Sequence, residues 1–450
     1  MLVIVSDLHL TDASTAHNVN AEAFALMASL VRDTAARRRA REIHVVLLGD
    51  IFDLVRTDYW LRRSIPPDAR PWGGIPDPRT AINQESAEVE RQFAAVLDGI
   101  LADEATRALA GALDTLAEGP PPLTVSYVVG NHDRVLWNFP ALRARITAAV
   151  PRIDRFLPAL ESPDYGVLAR HGHEWDEHCH GWRFGEKVLH PGAPIGRFAP
   201  EAYEVMAIGE VVTAELMGGL VHRVRAGGAP ERLVDQVKEV NNVRPILDVF
   251  AWLEWLGEGR AEELQELLYD ALRASLDAVL SSRLARQWDA LEPDLLVSAD
   301  LVDRLQQARA VLLGADFTSF KGRVEAVKRI QALMTRVFGE DDDRLLKGAA
   351  AEEALQPVAE ARGIERVVYG HTHRALHRYF SAERDGRARM YVNTGTYLPL
   401  IERAADRRSF VSSLQMSLAY FYRKDEDTDG KVPGTSSVDV WNGIRRKLYA

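Results

Sequence analysis

Five short segments of this 450-residue chain place carboxylate, imidazole and amide side chains close together. "VSDLHL" carries Asp7 and His9, "LLGDIFD" Asp50 and Asp53, "VVGNHD" Asn131 and His132, "LARHGH" His171, and "VVYGHTH" His371 and His373. Each polar set ends a run with the composition of a buried strand. In an open α/β sheet the carboxyl ends of the strands border the ligand crevice, so clusters far apart in sequence can converge there. A mixture of carboxylate, imidazole and amide oxygen suits Mn, Fe or Zn better than Ca or Mg. So many donors around one ion would leave several buried polar groups without partners, whereas two ions sharing a bridging carboxylate use them all. The expectation is a dinuclear metal site. An isolated strand-end Asp or Asn more often caps the following helix. Capping does not account for the whole ordered set.

The elements that must position these residues alternate in type. "LVIVSD", "EIHVVLLGD" and "LTVSYVVG" read as strands, residues 19 to 40 and 84 to 118 as helices, and "ALRARITAAV" as a further helix. Strands separated by helices imply parallel pairing with both faces covered. Residues 56 to 80, rich in Pro, Gly, Arg and Trp, read as a long loop. From 185 to 360 the periodicity becomes helical almost throughout. "IERVVYG" and "ALHRYFSAERDGRARMYVNTG" return to strand, with Asp385 and Gly386 at the turn of a hairpin. "SLAYFYR" is expected as the last strand, and the tail from about 424 as a loop with a short terminal helix. The domains expected are thus 1–184, a helical insertion at 185–360, and 361–450 completing the first.

Taken in order, the clusters spell D-x-H, G-D-x-x-D, G-N-H-D, a lone His and G-H-T-H, and so the chain resembles the calcineurin-like metallophosphoesterases over residues 1 to about 180 and about 362 to 400. The resemblance implies a four-layer α/β sandwich of two mixed β-sheets flanked by helices, here with an all-α insertion. It makes Asp7, His9, Asp50 and His373 the ligands of one metal, with Asp50 bridging to a second metal completed by Asn131, His171 and His371. His132 would face the substrate phosphate and protonate the leaving oxygen, with Asp53 holding its imidazole, while Asp133 serves the turn. Gly49, Gly130 and Gly370 would let the backbone approach the metals. The implied activity is hydrolysis of a phosphate mono- or diester by metal-activated hydroxide, with two divalent transition metals, Mn first and Fe or Zn as alternatives. Within the superfamily the "SDLHL" opening is similar to bacterial UDP-diacylglucosamine hydrolases. The chain departs from them at His132, where theirs carries Arg, and in its long insertion, so their substrate is not carried over. A nuclease or a nucleotide or lipid pyrophosphatase of the same superfamily, and a noncatalytic scaffold retaining the fold, are the rival readings.

The rest of the sequence bounds these expectations. A single cysteine, Cys179, excludes an intrachain disulfide and a multi-cysteine metal site. Net charge is −10, and residues 185–360 hold 30 acidic against 20 basic residues, a poor basis for stable nucleic-acid binding. No membrane span is expected, and the cytoplasm is the expected location. The partner expected is a phosphorylated small molecule, lipid or nucleotide. The 56–80 loop follows directly on the G-D-x-x-D block, which makes Arg56, Arg62, Arg63, Trp60 and Trp72 candidates for substrate contact. His173, His178 and His180 read as loop residues near the site. The insertion, with Trp252 and Trp255 at helical spacing, reads as a lid or a homodimer interface.

Overall fold

Apolar β-branched runs form the strands that carry the clusters, as expected. The strands are β1 (Leu2–Val5), β2 (Ile43–Leu48), β3 (Leu123–Val128), β4 (Arg155–Leu157), β5 (Leu160–Ser162), β6 (Val167–Ala169), β7 (Val243–Arg244), β8 (Arg366–Tyr369), β9 (Ala375–Ala382), β10 (Ala388–Thr394), β11 (Pro399–Arg403), β12 (Phe410–Tyr422) and β13 (Ser437–Lys447). The structure, a computed structural model, describes residues 1–74, 84–181, 198, 200–244, 248–291, 301–314, 322, 326, 329–330, 342–355, 363–382, 388–406, 408–427 and 436–447. The turn expected at Asp385 and Gly386 and the end of the 56–80 loop lie outside the described residues; the antiparallel pairing of β9 with β10 is within them.

The fold is mixed α/β with two mixed sheets. The larger runs β4-β3-β2-β1-β12-β11-β7, with β13 also paired to β12; the smaller runs β5-β6-β8-β10-β9. β1, β2, β3 and β4 are mutually parallel, as are β6, β8 and β10. Alternation along each strand decides what each face meets. Leu2, Ile4, Val46 and Leu48 pack against Val167, Ala169, Val368 and Val392, so the two sheets stack face to face. Val3, Val5, Val45 and Leu47 point the other way, into a core with helices. The far face of the smaller sheet, through Val367, Tyr369 and Tyr391, meets the helix Asp342–Leu355.

Local chemistry sets the helix ends. Asn20 caps Ala21–Arg37 by accepting from Glu22 N at 3.0 Å, and Phe24, Met27, Ala28 and Val31 form its buried stripe. Full burial of Phe24 or Met27 contributes about 1.5–3 kcal/mol each. The helix expected over 84–118 is two helices, Gln84–Leu101 and Glu104–Ala117, because Asp103 caps the second by accepting from Ala105 N at 2.8 Å.

Two expectations need correction. The tail forms β13, paired antiparallel with β12 from Ser412↔Lys447 to Tyr422↔Ser437, where a loop and short helix were expected. Its "SVDVWNGI" alternates apolar and polar residues, and that period-2 pattern carries the strand. The insertion is not purely helical: β7 pairs in parallel with β11 through Ile401↔Val243 and Glu402↔Arg244. It is also not set apart, since Leu220, Trp252 and Leu276 share one apolar cluster with Val3 and Val45. Separately from these corrections, the helical stretch Ala202–Ala226 is long and apolar enough to cross a membrane by length and composition alone, and its most apolar window is 72% buried inside the protein.

Candidate metal centre

The polar clusters meet at the C-terminal ends of β1, β2, β3, β6 and β8, and backbone bonds tie the loops together. Asp7 N donates to Gly49 O at 3.1 Å, His9 N to Asp50 O at 2.9 Å, and Gly370 N to His171 O at 2.9 Å. Asp50 Oδ1 accepts from His132 N at 2.8 Å, and Asp7 from His371 N at 3.1 Å. Three glycines permit this convergence: Gly49 has φ +79°, and a Cβ on it would collide with the His171 ring. A Cβ on Gly130 would collide with the Asp50 carboxylate, and one on Gly370 with that of Asp7.

The backbone is bent hard here. Asp7, His9, Asp50, His371 and His373 have φ of 53°, 44°, 52°, 70° and 62°, the left-handed region that non-glycine residues rarely occupy. Such positions cost about 1–3 kcal/mol each and persist where surrounding structure enforces them, most often at functional sites.

The side chains form overlapping groups whose ligand atoms lie within 4.8 Å of one another: Asp7, His9 and His373; His9, Asp50 and His132; Asp50, His171 and His371. Neighbouring groups fix the rings. Leu48 O takes His171 Nδ1 at 2.9 Å, leaving Nε2 turned to Asp50 Oδ2 at 3.2 Å. Asp53 takes His9 Nδ1 at 2.9 Å, leaving Nε2 near Asp7, Asp50 and His373 at 3.8, 3.7 and 3.0 Å. An imidazole whose far nitrogen is held in this way presents a lone pair of fixed direction. Asn131 Oδ1 is buried without a hydrogen-bond partner among the described residues. An orphaned amide oxygen beside two buried carboxylates is the arrangement that a bound cation satisfies. Buried His and Asp clusters here could hold metal ions.

Electrostatics point the same way. Burial would depress the His171 imidazole, but Asp50 and Asp7 outweigh it and push its pKa up to about 10. Burial would raise Asp50, but His171 and His132 hold it well below the carboxylate range. The cluster thus favours positive charge. His373 is held well below the usual range by burial and by Arg244, so its ring is neutral and able to donate a lone pair.

His132 lines the adjoining cavity, with Nδ1 2.9 Å from Asp53 Oδ2 and Nε2 4.0 Å from Asp50. Burial opposes its protonation, yet Asp53 and Asp50 raise its pKa above the ordinary value. Asp133 is structural: it accepts from Ile51 N at 2.9 Å, and from Tyr127 Oη and Gly130 N at 2.5 Å each.

Among the described residues of the 56–80 loop, only Arg56 lines the cavity, with Nε 2.9 Å from Asp53. Trp60 and Trp72 are core residues packed on each other, and Trp60 also on Phe93. Arg62 and Arg63 are exposed, and Arg62 pairs with Asp58 at 2.9 Å. Of the candidates for substrate contact, the structure thus brings Arg56 to the cavity, places Trp60 and Trp72 in the core, and leaves Arg62 and Arg63 on the surface. His173 and His180 are buried behind His171, with His173 and His171 ring centroids 5.4 Å apart, and His178 lines the cavity.

Two residues were not singled out from sequence. Asp176 Oδ2 lies 3.2 Å from His371 Nε2 and forms a further potential ligand group with Cys179 and His371. Its signal was the histidine-rich "HGHEWDEHCHGW" itself. Arg244 Nη2 donates to His373 Nδ1 at 3.1 Å, and no local motif marks it. No protein-family model, curated protein or solved structure matches the chain.

Proposed function

We propose that the protein is a metal-dependent phosphoric ester hydrolase of the calcineurin-like metallophosphoesterase superfamily, with that family's four-layer sandwich enlarged by the insertion at 185–360. The observation that carries this reading is the convergence of seven candidate ligands from five strand ends, five of them at positive φ. A scaffold has no physical need for that strain or for a buried histidine raised towards its protonated form.

Asp7, His9, Asp50 and His373 would hold one divalent transition metal, and Asp50, Asn131, His171 and His371 the second, with manganese first and iron or zinc as alternatives. When bound, the pair supplies Lewis acidity, lowering the pKa of water and neutralising phosphate oxygens. His132 carries the proton for the leaving oxygen on Nε2, and Asp53 holds the ring through Nδ1. The substrate is a phosphorylated small molecule, lipid or nucleotide. A nuclease is disfavoured by the acidic balance of the insertion, 30 acidic against 20 basic residues over 185–360.

The test is hydrolysis of p-nitrophenyl phosphate and bis-p-nitrophenyl phosphate by metal-stripped protein re-loaded with manganese, beside His132→Ala. Manganese-dependent turnover of either ester supports the reading, and His132→Ala should slow an alkyl phosphate far more than these activated esters. Protein that binds manganese and hydrolyses neither these esters nor a wider panel of phosphate esters would return the scaffold.

A further inference from the structure

The cavity next to the candidate metal centre has a volume of about 160 Å³. Sites that enclose drug-sized ligands run from roughly 300 to 1,000 Å³. One wall carries His132, Asp50 and the histidines of β8's end; the opposite wall comes from the insertion, with Val212 and Met217 presenting apolar surface. Two guanidinium groups line it, Arg56 and Arg244.

Arg244 is placed by backbone. It sits on β7, whose pairing with β11 fixes its Cα opposite Glu402. Nη1 donates to Asn241 O at 2.8 Å and Val243 O at 3.0 Å, which aims Nη2 at His373 Nδ1, 3.1 Å away. That last bond requires Nδ1 to be an acceptor. His373 turns Nε2 towards Asp7 Oδ1, 3.4 Å away, so Nε2 is the atom that faces the ligand cluster. A neutral imidazole that gives its Nε2 lone pair to a metal keeps its proton on Nδ1. Arginine has donors only, so Arg244 cannot then keep that bond, and Nη2 must take another acceptor.

We propose that Arg244, together with Arg56, is the phosphate anchor of this site, and that the pocket takes a small phosphate monoester as its dianion. This rests on the phosphoesterase reading above. A guanidinium matches two terminal phosphate oxygens in a bidentate fork, and a monoester retains three such oxygens where a diester has two. Two arginines favour the extra negative charge of the monoester. The volume accommodates a phosphoryl group with a short organic arm.

The experiment is titration calorimetry of inorganic phosphate, methyl phosphate and dimethyl phosphate into manganese-loaded protein, with metal content measured in each sample. Arg244→Gln keeps a side-chain donor for Asn241 O, and Arg244→Lys keeps the charge. Phosphate affinity is expected to fall roughly 10- to 100-fold in Arg244→Gln at unchanged metal content and to recover in part in Arg244→Lys. Wild-type protein should prefer methyl over dimethyl phosphate, and Arg244→Gln should narrow that preference. Unchanged phosphate affinity in Arg244→Gln, or its loss only together with the metals, overturns the anchor role; dimethyl phosphate bound as tightly as methyl phosphate overturns the monoester class. If wild-type protein turns over neither the nitrophenyl esters nor the wider panel of phosphate esters while phosphate binding still depends on Arg244, the catalytic reading falls and the anion site stands.

Discussion

Asp53 Oδ2 stands 2.9 Å from His132 Nδ1, and the same oxygen lies 2.9 Å from His9 Nδ1. One carboxylate therefore orients both the proposed acid and a proposed metal ligand. Burial would raise Asp53, but His132 and Arg56 hold it well below the carboxylate range, so it stays ionised. Asp53→Asn keeps the shape and removes the charge that supports His132 in its protonated form. We expect kcat to drop roughly 10- to 100-fold. The alkaline limb of the pH–rate profile should also move to lower pH, because the acid would lose its proton earlier. A profile whose limb stays in place in Asp53→Asn would show that His132 is not the titrating acid.

Asp50 lies within the ligand groups of both His9 and His171. As a bridge it serves two ions at once, so Asp50→Asn should lower the content of both metals and abolish turnover, whereas Asn131→Ala should deplete one. Elemental analysis after dialysis decides this. Two metals retained per chain in Asp50→Asn would refute the bridge.

His132→Ala removes no proposed ligand. Metal content should remain that of the wild type, and hydrolysis should slow by roughly 10²- to 10⁴-fold for poor leaving groups such as alkyl phosphates. p-Nitrophenolate leaves without help, so its ester should be affected far less. Equal slowing for both leaving groups would argue against proton donation by this residue.

The site was legible in sequence because each cluster is local: Asp7 with His9, or His371 with His373, is fixed by one strand end and its turn. The strands that carry them were legible for the same reason, as continuous apolar runs with both faces covered. Arg244 could not be read, since its relation to His373 spans 129 residues and depends on a two-residue strand docking on β11. Trp60 misled because a loop tryptophan beside a catalytic motif can face either way. Here the aromatic neighbours Trp72 and Phe93 draw it into the core. The helices of the insertion were legible from periodicity, but their packing into the shared core was not, because an amphipathic stripe does not say which surface it meets.

His44 provides a stability switch away from the metals. It bonds Ser126 Oγ through Nε2 at 2.8 Å, and burial, reinforced by Arg155, lowers its pKa from 6.5 to about 4. Between those values the unfolded chain binds a proton that the folded chain does not, so stability is full above the upper value and falls with pH towards the lower. Discounted for solvent screening, the loss amounts to about 2 kcal/mol. Denaturant midpoints of wild type and His44→Gln at pH 7.5 and 4.5 should show the variant losing less on acidification. Equal losses would mean that His44 titrates normally in the folded protein.

The insertion is joined to the loop after β3 by a buried ion pair, Arg134 with Glu210. The contacts are Nε to Oε1 at 2.9 Å and Nη2 to Oε2 at 3.2 Å, and Glu210 also accepts from Ala207 N at 3.0 Å. Arg134 follows the G-N-H-D block directly, and Glu210 stands two residues before Val212 in the cavity wall. Glu210→Gln would leave the Arg134 charge buried without its counter-ion, a loss of about 3–5 kcal/mol. The double change Arg134→Met with Glu210→Leu should recover most of that loss, since apolar side chains of similar volume replace such a pair at little cost. If the pair also sets the height of the wall above the metals, the double variant should regain stability and yet bind methyl phosphate more weakly than wild type. Stability and affinity recovering together would show that the pair matters for folding alone and that other contacts set the wall.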